Sequence, residues 1–225
     1  MAERIDPERM RTYLRSLDRD LPAWLHAVEN ECAEMYVPVI RQETRSLLRM
    51  LLAAMRPAHI LEVGTAIGFS SLFMAEHSDA EILTIEHAPQ RVEAARENIA
   101  NSPHAGRIRL IAGDAEEVLG GITETFPFIF MDAAKGQYIH FLPRVRELLG
   151  EGGVLVTDNV LRGGDILEPH YAVERRNRTI HKRMREYLYA LTHDDELVTD
   201  ILEDGDGIAV SVKRQMQRRT VRNEV

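Results

Sequence analysis

From His59 onward, short apolar segments alternate with longer amphipathic ones, and this alternation restricts the fold more than any other feature of the sequence. Apolar runs rich in β-branched residues predict strands, and the segments between them have helical spacing. Regular alternation of this kind is typical of a parallel sheet with helices on both faces. The predicted strands lie at 59–63, 81–86, 108–111, 128–131, 154–157, 197–202 and 208–212. We therefore expect a Rossmann-like α/β fold, a seven-stranded, mostly parallel, doubly wound sheet with a final antiparallel strand.

The length of 225 residues suits one α/β domain with a full core. Segments 7–20, 21–36 and 41–55 are predicted helices, and no linker separates them from the first strand. We expect residues 1–56 to form a helical cap, 57–213 the α/β core and 214–225 a basic tail. Between the strands, the main predicted helices span about 68–77, 89–100, 136–149 and 171–191.

A glycine turn follows the first predicted strand and opens the next helix. Gly64 and Gly68 are separated by three residues, and Ala66 stands where the dinucleotide fingerprint requires a second glycine. This spacing disfavours a pyrophosphate ligand. Glu62 before the turn could accept hydrogen bonds from an ammonium group, and Glu86 at the end of the second strand could bind ribose hydroxyls. S-adenosylmethionine (SAM) has both groups, whereas the alternative is an ordinary βαβ turn with a surface glutamate.

Oxygen-bearing side chains follow two later strands. Asp132 ends the fourth predicted strand, and Asp158 and Asn159 end the fifth. If those strands are neighbours, the three side chains suit Mg²⁺, with Mn²⁺ or Ca²⁺ as alternatives. Lys135 could act as a general base beside the ion. The alternatives are solvated acids at strand ends and a surface lysine paired with Asp132.

Composition limits the location and the partners of the chain. The net charge of −8 argues against nucleic-acid binding through bulk charge, although local basic patches remain possible. A single cysteine, Cys32, excludes an internal disulfide framework and suits a reducing cytosol. The charged N-terminus lacks a signal-peptide pattern, and no apolar run approaches a membrane span, so we expect a cytoplasmic protein without membrane contact.

Four segments carry a resemblance to a known family. EVGTAIGFS at 62–70 resembles the first motif of class I methyltransferases, in the cation-dependent O-methyltransferase group that includes catechol and caffeoyl-CoA enzymes. DAAKGQY at 132–138, DNVLRG at 158–163 and GDGIAVS at 205–211 resemble the bacterial branch that methylates 5-hydroxyuridine at the tRNA wobble position. The resemblance spans residues 36–213. One departure falls in the asparagine loop, where Arg162 directly follows Leu161 without the aromatic residue usual in that branch.

The resemblance implies roles for individual residues. It places a ribose contact at Glu86, the general base at Lys135 and the metal ligands at Asp132, Asp158 and Asn159. The remaining implied cofactor contacts are Val37, which lines the site, Gly64 and Ser70 at the methionine end, and Asp114 and Ala115 at the adenine edge. Asp132 is also expected to lie beside the cofactor and the reacting atoms, and Gly68 completes the glycine turn.

Two kinds of methyl acceptor fit the residues predicted for the site. A catechol and a 5-hydroxyuridine both offer two adjacent oxygens, so the metal ligands cannot distinguish them. Basic residues after the active-site loop favour the tRNA anticodon loop over a small phenol, although a charge run can also be a solvated helix face. They are Arg175, Arg176, Arg178, Lys182, Arg183 and Arg185, with further basic residues in the tail. A SAM-binding RNA module without turnover is a third possibility, and we also expect a homodimer.

Overall fold

Residues 6–203 and 205–215, which a computed structural model describes, form one seven-stranded sheet with helices on both faces. The strands are β1 His59–Val63, β2 Glu81–Glu86, β3 Ile108–Ala112, β4 Phe126–Met131, β5 Leu149–Asp158, β6 Leu197–Leu202 and β7 Ile208–Lys213. The helices are α1 Pro7–Ser16, α2 Ala23–Glu34, α3 Gln42–Met55, α4 Phe69–Glu76, α5 Pro89–Ala100, α6 Ala115–Gly121, α7 Tyr138–Leu148 and α8 Arg178–Thr192.

The strand order is β3-β2-β1-β4-β5-β7-β6, which confirms the predicted fold. Strands β1 to β5 are parallel, and β7 runs antiparallel to both β5 and β6. The order reverses between β1 and β4, because β2 and β3 lie on one side of β1 and the later strands on the other. In sheets of this kind a crevice opens at the carboxyl ends of the strands beside the reversal.

Helices cover both faces of the central strands, which explains why those strands are apolar along their length. On one face α6, α7 and α8 contribute Leu119, Tyr138 and Met184 to a continuous core. On the other face α2 and α3 contribute Leu25 and Leu48, which share a core with α4 and the strands. The N-terminal helices therefore bury apolar surface against the same sheet as the later elements. No described helix is long and apolar enough to cross a membrane.

Several predicted boundaries were wrong, and long-range contacts account for the clearest cases. Strand β5 begins at Leu149, not at residue 154, because Leu149 pairs with Phe126 across the sheet. The preceding helix consequently ends at Leu148. Helix α8 begins at Arg178, not at 171, and a 3₁₀ turn precedes it. Helix α1 ends at Ser16. Most of the predicted basic tail, residues 216–225, lies outside the described residues.

Candidate active site

A cleft of about 610 Å³ lies at the carboxyl ends of the parallel strands, beside the reversal between β1 and β4. Most of the residues predicted to form the site line this cleft, namely Val37, Gly64, Glu86, Asp114, Ala115, Asp132, Lys135 and Asn159. The others do not contribute to its lining, namely Glu62, Gly68, Ser70 and Asp158. The fold therefore brings most of the residues predicted for the cofactor and the metal to one opening, whereas Asp158 is buried.

A second cavity, of about 650 Å³, lies among the N-terminal helices and is slightly larger. Its charged side chains are largely paired with one another or with neighbours, as in the ion pair between Arg45 and Glu29. Arg41 lines both this cavity and the cleft. We assign the chemistry to the cleft because the strand ends and the predicted residues converge there.

The glycine turn adopts a backbone conformation that its sequence explains. Gly64 has φ of +106°, and a Cβ atom there would lie 2.1 Å from the carbonyl oxygen of Asp132. Only glycine permits this approach of the turn to the end of β4. Ala66 also has a positive φ, of +49°, which is unusual for alanine. The strained turn directs the N–H of Ala66 to Oε2 of Glu86, at 2.9 Å.

Backbone donors hold the carboxylate of Glu86 at the end of β2. Besides the N–H of Ala66, the N–H groups of His87 and Ala88 donate to its Oε1, each at 2.9 Å. The side chain is buried yet lines the cleft. A carboxylate fixed in this way retains lone pairs for further donors, such as the two hydroxyls of a ribose. Its role as a cofactor contact stays a prediction.

Glu62 lies within the core, not on the surface of the cleft. The hydroxyl of Thr84 donates to its Oε2 at 2.5 Å, and the hydroxyl of Ser71 also donates to Oε2. The side chain is fully buried, and this burial raises the pKa of Glu62 to about 7. The carboxylate ties β1 to β2 and α4 behind the turn. Its contact with an ammonium group stays a prediction.

Replacement of Glu62 by glutamine should reduce the pH dependence of stability. A raised pKa means that the folded state holds a proton that the unfolded chain releases, so stability is lost as pH rises from about 4.5 through 7. Glu62→Gln should raise the free energy of unfolding at pH 8 by about 3 kcal/mol and have little effect at pH 4.5. Denaturant titrations at both pH values would measure this. Glu81→Gln, which changes an exposed carboxylate on β2, is the control.

The three predicted oxygen ligands meet at the tips of adjacent strands. Met131 pairs with Thr157, so Asp132 and Asp158 each follow a paired residue on β4 and β5. Asp158 is buried, and burial together with the charge of Asp132 raises the pKa of Asp158 to about 6. Asn159 follows in the left-handed conformation, with φ of +60°. Lys135 Nζ lies 3.7 Å from Oδ1 of Asp132.

Asp158 is held in part by two residues that sequence patterns did not single out, Thr44 and Tyr138. The hydroxyl of Thr44, on α3, donates to Oδ1 of Asp158 at 3.2 Å, and the N–H of Asn159 donates to the same oxygen at 2.8 Å. The hydroxyl of Tyr138 donates to the Asp158 carbonyl oxygen at 3.4 Å. No local signal marks Thr44, because its partner is 114 residues away. The N-terminal helices thus take part in positioning the site.

Further side chains that line the cleft carry charge or aromatic surface that was not predicted. Arg41 donates to Oδ2 of Asp206 at 2.7 Å, which joins the segment before α3 to the loop before β7. Arg91 lies on the α5 side of the cleft. The other unpredicted polar or aromatic lining residues are His87, Gln137 and Phe141. The positive charges of Arg41, Arg91 and Lys135 therefore share the lining with four carboxylates, those of Glu86, Asp114, Asp132 and Asp206.

The predicted basic patch near α8 is smaller than the sequence indicates. Three of its arginines donate to backbone carbonyl groups, Arg178 to Val173, Arg183 to Gly136 and Arg185 to Ile166. These bonds fasten loops around the cleft. The three exposed members that remain are Arg175, Arg176 and Lys182, of which Arg176 pairs with Glu174 and Lys182 with Glu186.

The fold and the site define a doubly wound α/β protein with a cleft at the carboxyl ends of its strands, beside a glycine turn. Comparison with known proteins identifies the family. A profile of the family described as O-methyltransferase matches residues 19–214. The chain belongs to this family of O-methyltransferases.

Named relatives and solved structures agree with this assignment. A catechol O-methyltransferase of Mycobacterium tuberculosis is 30% identical over 172 residues, covering 74% of this chain and 78% of that protein. A caffeoyl-CoA O-methyltransferase of Citrus natsudaidai is 30% identical over 173 residues, covering 73% and 75%. An O-methyltransferase of Bacillus cereus, solved in complex with SAH, has the same fold, with a TM-score of 0.80 at 22% identity and coverage of 92% and 97%.

Proposed function

We propose that this enzyme uses SAM and Mg²⁺ to methylate 5-hydroxyuridine at the wobble position of tRNA, which yields 5-methoxyuridine. The observation that carries the proposal is the presence of Asp132, Asn159 and Lys135 in the cleft lining, with Asp158 buried at the tip of the adjacent strand. An acceptor with two adjacent oxygens suits such a site. In 5-hydroxyuridine these are the 5-hydroxyl and the C4 carbonyl oxygen.

The residues present fit a divalent cation. Oδ2 of Asp158 is buried and has no hydrogen-bond partner among the described residues, which is costly unless another ligand is bound. The neighbouring charge of Asp132 adds to this cost. The described residues contain no group of three histidine, cysteine, aspartate or glutamate side chains that could hold a metal. The proposed set has only two such side chains, because its third ligand is the amide of Asn159.

Each part of the site then has a role in the transfer. Mg²⁺, when bound, would favour ionisation of the acceptor hydroxyl. Gly64 and Glu86 would hold SAM, which supplies the methyl group when bound. Lys135, as the free amine, would accept the proton of the acceptor hydroxyl.

Individual basic side chains in and after the cleft support an RNA acceptor. Arg41, Arg91 and Lys135 line the opening, and Arg175, Arg176 and Lys182 are exposed nearby in the chain after the asparagine loop. Positive side chains of this kind contact RNA phosphates, and an anticodon loop can place an unstacked base in a pocket. The sequence segments at 132–138, 158–163 and 205–211 support the same acceptor.

A catechol-type phenol is the second candidate, because the relatives at 30% identity are named for catechol and caffeoyl-CoA. A SAM-binding module without turnover is disfavoured, since the chain retains Lys135 and all three proposed ligands. The expected homodimer stays a proposal. It is supported by exposed apolar side chains on α1 and at its C-cap, namely Met10, Tyr13, Leu14 and Leu17.

Methyl transfer from labelled SAM tests the acceptor and the metal together. We expect tRNA that contains 5-hydroxyuridine to be methylated, EDTA to reduce the rate by at least about a hundredfold, and excess Mg²⁺ to restore it. Catechol and tRNA lacking the hydroxyl serve as comparison substrates. Efficient transfer to catechol with none to tRNA would exclude the RNA acceptor, and transfer that EDTA leaves unchanged would exclude the metal.

A further inference from the structure

Helix α2 ends in a motif that usually requires glycine. The N–H of Tyr36 donates to the carbonyl of Ala33 at 3.2 Å, and the N–H of Val37 donates to that of Cys32 at 2.8 Å. This pair of bonds is the Schellman arrangement, whose left-handed residue is most often glycine. Here that residue is Tyr36, with φ of +54°. A tyrosine in this conformation is strained, because its Cβ approaches the following carbonyl oxygen.

Packing does not offset this strain. The side chain of Tyr36 is 94% exposed, the largest exposed fraction among the large apolar and aromatic residues of the described chain. Its hydroxyl makes no hydrogen bond, and its ring has no aromatic or cationic partner among the described residues. Glycine would form the same turn at lower cost. An observed backbone outlier without a structural benefit indicates a functional one.

Tyr36 directly precedes residues that line the active-site cleft. The next three residues, Val37, Pro38 and Val39, form part of the wall of the active-site cleft. Arg41 lines the same opening and pairs with Asp206 on the loop before β7. Proline restricts the backbone between the tyrosine and this wall. Tyr36 therefore directly precedes the wall of the cleft in the chain, and its ring is exposed to solvent.

We propose that Tyr36 stacks against an unpaired base that flanks the methylated nucleotide. The proposal rests on the proposed function and adds a residue that selects single-stranded RNA. Aromatic rings stack on any base, and nearby arginines contact the phosphates, which is how proteins commonly hold single strands. A small phenol that fills the cleft has no neighbouring base to reach the rim. Tyr36 is thus a binding residue for the RNA that surrounds the acceptor.

Binding of a fluorescent anticodon stem-loop to wild type, Tyr36→Gly and Tyr36→Phe tests this role. We expect Tyr36→Gly to weaken binding about tenfold and Tyr36→Phe to change it less than about twofold, because phenylalanine retains the stacking face. Tyr36→Gly should also raise the melting temperature, since it relieves the left-handed strain. Weaker binding by a more stable variant separates a contact with RNA from a structural role.

The control is Tyr189→Ala, which removes another exposed tyrosine, from the end of α8 that leads into β6 at the opposite edge of the sheet. It should leave stem-loop binding unchanged. Equal affinities of wild type and Tyr36→Gly would overturn the proposal, as would a change of assembly mass by light scattering, which would indicate a protein interface. If the wild type does not methylate tRNA, but Tyr36→Gly still binds the stem-loop more weakly than the wild type does, the proposed function alone would be overturned.

Discussion

Replacement of Asp158 by asparagine is expected to reduce methyl transfer by about a thousandfold while making the protein more stable. A metal ligand contributes several kcal/mol to stabilisation of the transition state, and each 1.36 kcal/mol corresponds to a factor of ten in rate. Asparagine retains the shape of the side chain and can still accept from Thr44, so the fold should be preserved. Loss of activity in this variant would then be due only to the missing negative charge of the Asp158 side chain.

The gain in stability follows from the burial of Asp158. Burial and the neighbouring Asp132 raise the pKa of Asp158 to about 6, so the folded state disfavours the ionised carboxylate. This penalty is absent at low pH and complete above about pH 7, because the stabilising proton is lost as pH rises through 6. Without added metal, Asp158→Asn should therefore raise the free energy of unfolding at pH 8 by about 3 kcal/mol.

Rates with tRNA and denaturant titrations in EDTA at pH 4.5 and 8 would measure both effects. Asp195→Asn makes the same chemical change at an exposed position and should alter neither quantity. A variant with normal turnover would contradict the assignment of Asp158 to the metal. A variant that is inactive and also less stable at pH 8 would contradict the account of the buried charge.

Replacement of Gly64 by alanine is expected to have the largest effect on the fold. The new Cβ would lie 2.1 Å from the carbonyl oxygen of Asp132, so the turn or the end of β4 must move. Gly64 also has φ of +106°, a conformation that costs alanine about 1 kcal/mol or more by itself. We expect a loss of more than about 4 kcal/mol of stability, or a folded protein that no longer binds SAM.

Gly68→Ala is the matched control, because Gly68 has a similar φ of +98° but a Cβ there would meet its nearest neighbour at 3.7 Å. That variant should lose only about 1 kcal/mol, the cost of the backbone conformation. Thermal unfolding and calorimetric titration with SAM would compare the two. Similar behaviour of both variants would contradict the close approach of the turn to Asp132.

The sequence predicted the bounds of strands and helices correctly where those bounds depend on neighbouring residues. The bounds of β1 and β2 were correct, because each is an apolar run that ends at a turn. Helix α5 begins at Pro89, as expected from the preference of proline for the first helical turn. The start of β5 was wrong because Gly150, Gly152 and Gly153 do not favour a strand. That segment is extended because it pairs with β4.

The candidate site was predictable only in part. Asp132, Asp158 and Asn159 could be proposed from their places after apolar runs, since the ends of parallel strands meet at one edge. The sequence did not reveal that Glu62 is buried or that Thr44 contacts Asp158. It also could not reveal that half of the basic residues near α8 bind carbonyl groups. Each of these facts depends on atoms distant along the chain.

By itself, the sequence determined the class of fold, the glycine turn and the types of side chain available at the strand ends, because these follow from local patterns of polarity and backbone preference. Only the tertiary structure decided which strands are neighbours, and therefore that Asp132 and Asp158 share one site. It also decided that Tyr36 is exposed and strained beside the cleft. Exposure and the interaction of two charges depend on distances in space, which a linear pattern does not specify.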